Sequence, residues 1–321
     1  MILACNRLGG ADMIVLSREI RARRGSPDPA VPPTAGLPIV RENFGRAGGT
    51  VGDRPQHGAV DRPLKKLSVR PMSSEKATAF VLHVVEFSET SCVVTLFTRE
   101  FGKIHGLAKG ARRPKGPFES ALDLLALCRI VFLRKSSGTL DLLTEAKLQR
   151  RFRPRGRDLS SLYAGYYVAE LLSELTDDYD PHPDLFNAAE QTLLSLAESG
   201  VDVPLLVVRF ELTALRLLGH LPSLENCVEC GRAVEPRGRI AFGLLAGGVL
   251  CEACKAGQRQ VVAVSAGVLQ AMSVLADAAS DRWRQLTLDK RTHGEMRAVL
   301  NRYLAHLLGH KPRMHEYLTT L

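Results

Sequence analysis

Cys227-Val-Glu-Cys230 and Cys251-Glu-Ala-Cys254 are two C-x-x-C pairs separated by twenty residues. No other feature constrains the chain as tightly. Each x-x spacing lets one tight turn present two sulfurs to one ion, so the four thiolates form a tetrahedral Zn²⁺ set. Gly231 after the first pair lets the backbone fold over the sulfurs, and Gly247-Gly248 allows a hairpin before the second. A redox pair would need one C-x-x-C in a βαβ setting, which is absent. A closed Cys₄ set leaves no position for a substrate water, so the expected zinc is structural, within a ribbon at about 225–258. Cysteine used this way points to a reducing compartment. Cys92 and Cys128 lie in apolar runs and read as inert core thiols.

The chain has 321 residues and a net charge of +9. That length suggests two or three compact units. The charge is unevenly placed. Residues 1–71 hold 12 Lys+Arg against 6 Asp+Glu, together with 8 of the 17 Pro and one aromatic, Phe44. Such a composition buries too little apolar surface to offset the entropy of ordering. Two readings compete: translation begins at Met72, or residues 1–71 are a disordered basic arm that touches nucleic acid. The lack of any periodic pattern favours the first.

Residues 79–150 read as β. Phe80–Phe87, Cys92–Thr98, Lys103–Ala108 and Leu140–Ala146 read as strands, with Gly102 in a turn. Leu124–Leu133 is nearly all apolar, and periodicity alone does not separate strand from helix there. About five short strands suit a small closed barrel, of which the oligonucleotide/oligosaccharide-binding (OB) barrel is one candidate. From Asp158 the period becomes helical. Asp184 is placed to cap a helix, Pro204 to sit at the first position of another, and Ser265 to cap a third. Met296–Leu307 marks a last helix, stopped by Gly309 and Pro312. The expected class is α+β: an N-terminal OB-type barrel (72–150), then an α-helical domain (151–321) carrying the Cys₄ insertion.

Two basic clusters flank the β unit. Arg99, Lys103, Lys109, Arg112, Arg113 and Lys115 fall within 17 residues that hold one acid, Glu100, with Phe101 and Phe118 nearby as stacking surfaces. Lys147, Arg150, Arg151, Arg153, Arg155 and Arg157 form the second. One such cluster is as readily a solvated surface, but two on one small β unit favour DNA or RNA held without base specificity. No P-loop, G-x-G-x-x-G, G-x-S-x-G or H-E-x-x-H pattern occurs, and no H-x-E precedes the cysteines. His83 and His105 need no role beyond packing or a hydrogen bond. No apolar run approaches the length of a membrane span.

The stretch Ala79-Phe-Val-Leu-His-Val-Val-Glu-Phe-Ser-Glu-Thr-Ser-Cys-Val-Val-Thr-Leu-Phe-Thr-Arg-Glu-Phe-Gly-Lys103, followed by Gly106-Leu-Ala-Lys-Gly-Ala-Arg-Arg113, resembles the N-terminal OB domain of the RecO family. The cysteine cluster and Arg302-Tyr-Leu-Ala-His-Leu-Leu-Gly-His-Lys-Pro312 are similar to the same family, over about 72–321. The resemblance implies a bacterial recombination mediator without enzymatic turnover. It implies binding of single- and double-stranded DNA, annealing of complementary strands, and contact with the C-terminal tail of the single-strand binding protein SSB. It further implies a complex with RecR that helps RecA load, and a cytoplasmic, nucleoid-associated location. Lys103, Lys109, Arg112 and Arg113 match the family's basic stretches. The resemblance departs at Arg313-Met-His-Glu316, where the family often shows a serine. A zinc-ribbon transcription or RNA-binding factor is the alternative from another class. A hydrolytic zinc enzyme would need a non-cysteine ligand and an open metal position.

Deleting residues 1–71 is expected to leave melting temperature and strand annealing unchanged. A truncated chain that melts well below the full chain, or anneals more slowly, refutes the compositional reading.

Overall fold

The computed structural model describes residues 73–113, 116–118, 121–135, 140–154 and 159–318. Residues 1–72, with the expected extension, lie outside them. Strands and helices belong to one unit, Leu67–Leu321. Five strands come first: β1 (Ser74–Glu86), β2 (Cys92–Thr98), β3 (Gly102–Ala108), β4 (Leu127–Leu133) and β5 (Asp141–Arg150). They close into a barrel in the order β1-β2-β3-β5-β4.

β1 makes the closure possible. Its first half, Ser74–Phe80, pairs with β4, its second half, Ala79–Glu86, pairs with β2, and a bulge between Val81 and His83 bends it. The expected strand began at Phe80, six residues late. Ser74–Ala79 carries only two alanines as its inward residues, which gives a weak strand signal. In the ambiguous run, Leu127 starts β4. Ahead of it Leu125 takes φ 62°, its N–H bonded to Val81 O at 2.8 Å, which prevents a helix. Val81, Val94, Leu96, Ile104, Ile130 and Phe132 fill the barrel and are fully buried.

The helices are α1 (Leu159–Leu175), α2 (Pro183–Leu196), α3 (Val203–Leu217), α4 (Ala266–Ala276), α5 (Lys290–Leu308) and the short α6 (His315–Leu318). Their caps differ in part from expectation. Asp202 caps α3 by accepting from Leu205 N at 3.0 Å, so the helix starts one residue before Pro204. Asp184 lies inside the first turn of α2. Ser265 precedes α4, but its hydroxyl donates to Glu295 Oε2 at 2.9 Å on α5 instead of capping. Gly309 ends α5 at φ 75° as expected.

The barrel interior is one apolar core, and the outer face of the barrel joins a second core built by the helices. Phe80 and Phe97, on the outer side of β1 and β2, meet Phe186 of α2 at ring distances of 4.8 and 6.1 Å. Burying a phenylalanine in this way contributes about 1.5–3 kcal/mol. At the β2–β3 turn Gly102 has φ 69°, and a Cβ there would stand 2.0 Å from Asp180 O. Glycine is therefore required both for the turn and for the approach of the α1–α2 connection.

Within the helices the dominant polar feature is Glu211 of α3, which is 0% exposed. Arg297 Nη1 of α5 donates to its Oε2 at 2.5 Å, and the Tyr167 hydroxyl of α1 donates to its Oε1 at 2.5 Å. His315 Nε2 lies 2.8 Å from the same tyrosine oxygen. The Glu170 carboxylate accepts from the N–H groups of Arg313 and Met314, which seats the last turn on α1. The departure at Arg313–Glu316 thus has a structural role, as a latch.

Two expectations follow. Glu211→Ala strands a buried guanidinium and should cost about 3–5 kcal/mol in urea unfolding; a loss under ~1 kcal/mol would show that Arg297 finds water instead. Burial pushes His315 from its usual 6.5 down to about 4; Glu211 opposes this, and Arg297 and Lys311 add to it. Between those values the unfolded chain binds the proton that the folded chain refuses, so stability should fall as pH drops from about 6.5 to 4. Half-buried His83 and His293 are also held low, chiefly by desolvation, and act in the same sense. Urea midpoints across that range should fall more steeply for the wild type than for His315→Gln; parallel curves would exclude this histidine.

Candidate metal centre and nucleic-acid interface

A three-stranded sheet, β7-β6-β8, carries the cysteines: β6 (Arg239–Gly243), β7 (Gly248–Leu250) and β8 (Val261–Ser265). The first pair sits in a knuckle in which Gly231 N–H donates to Cys227 O at 2.8 Å, with Gly231 at φ 73°. The second pair follows β7 in a matching turn, Cys254 N–H donating to Cys251 O at 3.1 Å. Val228 N–H donates to Val249 O at 3.0 Å and holds the two turns together. Gly248 permits this approach, since a Cβ there would meet Ser223 O at 2.6 Å.

The sulfurs of Cys227, Cys230, Cys251 and Cys254 all lie within 4.8 Å of one another, and Cys230 and Cys251 are 3.8 Å apart. A regular tetrahedron with arms of ~2.3 Å has edges of ~3.8 Å, so the donor set fits a tetrahedral thiophilic ion. None of the four is disulfide-bonded. Backbone N–H groups, that of Cys251 foremost, hold the Cys227 thiol down at about 6, and thiol neighbours push Cys254 up to about 12. By contrast Cys92 and Cys128 are buried, and burial raises both thiols. They are core residues.

The basic residues separate into two kinds. Lys103, 13% exposed, points into the fold: its Nζ donates to Ser173 O at 2.7 Å and Thr176 O at 2.5 Å, with Asp178 at 3.7 Å. It caps the C-terminal end of α1, where the helix dipole is negative. Its ammonium is committed there, which removes it from the nucleic-acid set read from the sequence. Arg99 and Arg150 share the Glu190 carboxylate of α2 at 3.1 and 2.7 Å, and Arg151 lies 3.5 Å from Asp123. Arg99 and the exposed Arg150 tie the barrel to α2, and Arg151 ties the end of β5 to the segment before β4. The aromatics expected to stack bases are also occupied. Phe118 is 2% exposed in the barrel core, and Phe101 packs edge-on against Phe132 at 5.5 Å.

The second kind faces water. Lys109, Arg113 and Arg153 are exposed and have no ion pair among the described residues. Arg112 pairs with exposed Glu86 at 3.1 Å, and its N–H donates to Thr90 O at 3.2 Å, which seats the β3–β4 loop on the β1–β2 turn. Lys115, Arg155 and Arg157 lie outside the described residues. Sequence reasoning missed two surface residues. Arg129 is exposed on β4, directly opposite exposed Lys147 on β5. Phe87, 64% exposed, stands at the β1–β2 turn. A lone arginine in an apolar run was the available signal for Arg129; nothing in the sequence marked Phe87 as facing outward.

No helix among the described residues is long and apolar enough to cross a membrane. Two family models match successive parts of the chain. Residues 72–152 match the family model "Recombination protein O N terminal", and residues 156–316 match "Recombination protein O C terminal". The DNA repair protein RecO of Rhodopirellula baltica is 42% identical over 263 residues, covering 75% of this chain and 97% of the relative. That of Anaeromyxobacter dehalogenans is 33% identical over 247 residues, covering 77% and 96%. That of Moorella thermoacetica is 29% identical over 247 residues, covering 77% and 91%. With a closed barrel, a helical body and both family models matched in order, the chain belongs to the RecO family of DNA repair proteins, which are not enzymes.

Proposed function

We propose that this protein is a recombination mediator that binds single- and double-stranded DNA on an OB-type barrel and anneals complementary strands. The observation that carries the reading is the β3–β4 loop, which holds Lys109 and Arg113 exposed without acidic partners among the described residues. Annealing makes and breaks no covalent bond. It requires cations that lower the repulsion between two phosphate backbones, and a surface that holds bases without choosing among them. Resting on the family, the same reading has the protein take the SSB C-terminal tail, act with RecR and help RecA load onto coated strands in the cytoplasm, near the nucleoid. The Cys227, Cys230, Cys251 and Cys254 set holds one structural Zn²⁺ in this reading, because four thiolates leave the ion no open position. The ion supplies cross-linking of the ribbon and no chemistry.

Reversing Arg112 and Arg113 to Glu should weaken single-strand binding to unrelated sequences alike, slow the annealing of SSB-coated strands, and leave metal content unchanged. Each phosphate left without its cation should lower the salt slope by about 0.7 units. Unaltered affinity at low salt would return the loop to ordinary solvated surface; a loss confined to one sequence would favour a sequence-specific factor.

Cys227→Ser should abolish stoichiometric zinc and loosen the ribbon, with a loss well below the ~10–16 kcal/mol apparent in isolated finger peptides, because the helices also support the fold. Elemental analysis of the wild type without zinc, or a mutant as stable as wild type, overturns the metal assignment.

A further inference from the structure

We propose that a single DNA strand crosses the barrel on its β4–β5 side, from Phe87 past the groove at Pro117 to the Arg129–Lys147 pair. This route deepens the DNA-binding reading and rests on it. OB barrels present oligonucleotides to the face of their second and third strands. Here that face is covered. Phe97 of β2 is fully buried against Phe186, Lys103 of β3 caps α1, and His105 of β3 meets Asp178 at 3.2 Å. A strand held by the barrel must pass elsewhere.

Two contacts and a groove make the opposite surface continuous. Arg112 N–H on Thr90 O seats the β3–β4 loop beside the Phe87 turn. Further along the loop, Ala146 N–H donates to Pro117 O at 3.2 Å and lays that segment against β5. A groove of about 490 Å³ runs between them, floored by Gly116 and Pro117 on one side and Thr144–Leu148 on the other. Lys147 lines this groove, and Arg129 lies directly across from it on β4. Lys76 of β1, one row away opposite Val131, adds a third exposed cation. The acids along this route among the described residues include Glu145, also opposite Val131 and one row from the Arg129–Lys147 pair, and exposed Glu86 and Glu89 beside Phe87, of which Glu86 is paired with Arg112.

Like charges directly opposite each other on a sheet are destabilising. Arg129 and Lys147 have no ion pair among the described residues, so their repulsion is not neutralised within the described fold. A passing phosphate backbone neutralises it. Phe87 supplies what the cations lack, a flat apolar surface at the start of the route, on which a base stacks whatever its identity.

The test measures Kd for an oligothymidylate of about twenty nucleotides against salt concentration, on the full chain. Arg129→Gln combined with Lys147→Gln should lower the salt slope by ~1.4 units, two phosphates at ~0.7 each. Phe87→Ala should weaken binding roughly 5- to 150-fold, as for the removal of one base-stacking surface, and leave the slope unchanged. Phe87→Trp should bind as wild type, which separates stacking from damage to the turn. If the double variant keeps the wild-type slope and Phe87→Ala keeps its affinity, while charge reversal at Lys109 and Arg113 abolishes binding, the route is wrong and the DNA reading stands. If the wild type itself binds no DNA at low salt, both fall.

Discussion

The Lys103 ammonium decides how the two halves of this protein meet. It leaves β3 of the barrel and ends on the carbonyls of Ser173 and Thr176, at the negative end of α1. Backbone pairing follows the same line, with Tyr179 N–H donating to Lys103 O at 2.9 Å. Gly102 beside it allows the α1–α2 connection to approach the turn. A charged donor on helix carbonyls in a mostly buried place is worth more than a surface ion pair, because little water competes for it. The consequence is functional. The joint covers the β2–β3 face and turns the available cationic surface of the barrel toward the β3–β4 loop and β5.

A second constraint orders the helices. A carboxylate with no exposure is tolerable only with its charge matched and both oxygens bonded. Arg297 and Tyr167 meet that demand for Glu211, and they come from α5 and α1. Three helices are thereby fixed in one register, which an apolar core alone specifies less sharply. His315 joins the network and brings the last turn onto α1. Its neutral form is the one that fits beside Arg297, which makes this latch sensitive to acid.

The fold was largely legible in the sequence because its signals were local. Short runs bounded by turn residues at Cys92–Thr98 and Lys103–Ala108 mark strands, the apolar steps after Asp158 mark a helix, and the two C-x-x-C pairs mark four converging sulfurs. What escaped was set by tertiary contact. Ser265 has the right residue type for a cap, but Glu295 on a distant helix takes its hydroxyl. Lys103 belongs to a basic stretch in one dimension and to a helix end in three. A count of cations does not distinguish a side chain that closes a joint from one that faces water. That distinction depends on partners such as Ser173 and Glu190, which lie 40 or more residues away in the chain. Phe118 escaped for the same reason: beside basic residues in the sequence, it is packed inside the barrel.

The metal ribbon and the barrel touch different surfaces of the helical body, yet one helix serves both constraints. α5 offers Arg297 to Glu211, and one to two turns later it offers Tyr303, whose ring meets Phe242 of β6 edge-on at 6.3 Å. The Tyr303 hydroxyl also donates to His220 O at 2.8 Å, just before the first cysteine knuckle. Near its start, Glu295 accepts from Ser265 N–H and hydroxyl and pairs with Arg239 of β6. A ribbon without its cross-link therefore loosens the packing on the same helix that holds the buried carboxylate. An ion held by the four cysteines would act on the rest of the chain through this packing, as stability of the body on which the barrel is mounted. The basic loop and the β4–β5 surface lie on the barrel, so a charge substitution there leaves the ribbon intact, while a cysteine substitution reaches the helices first.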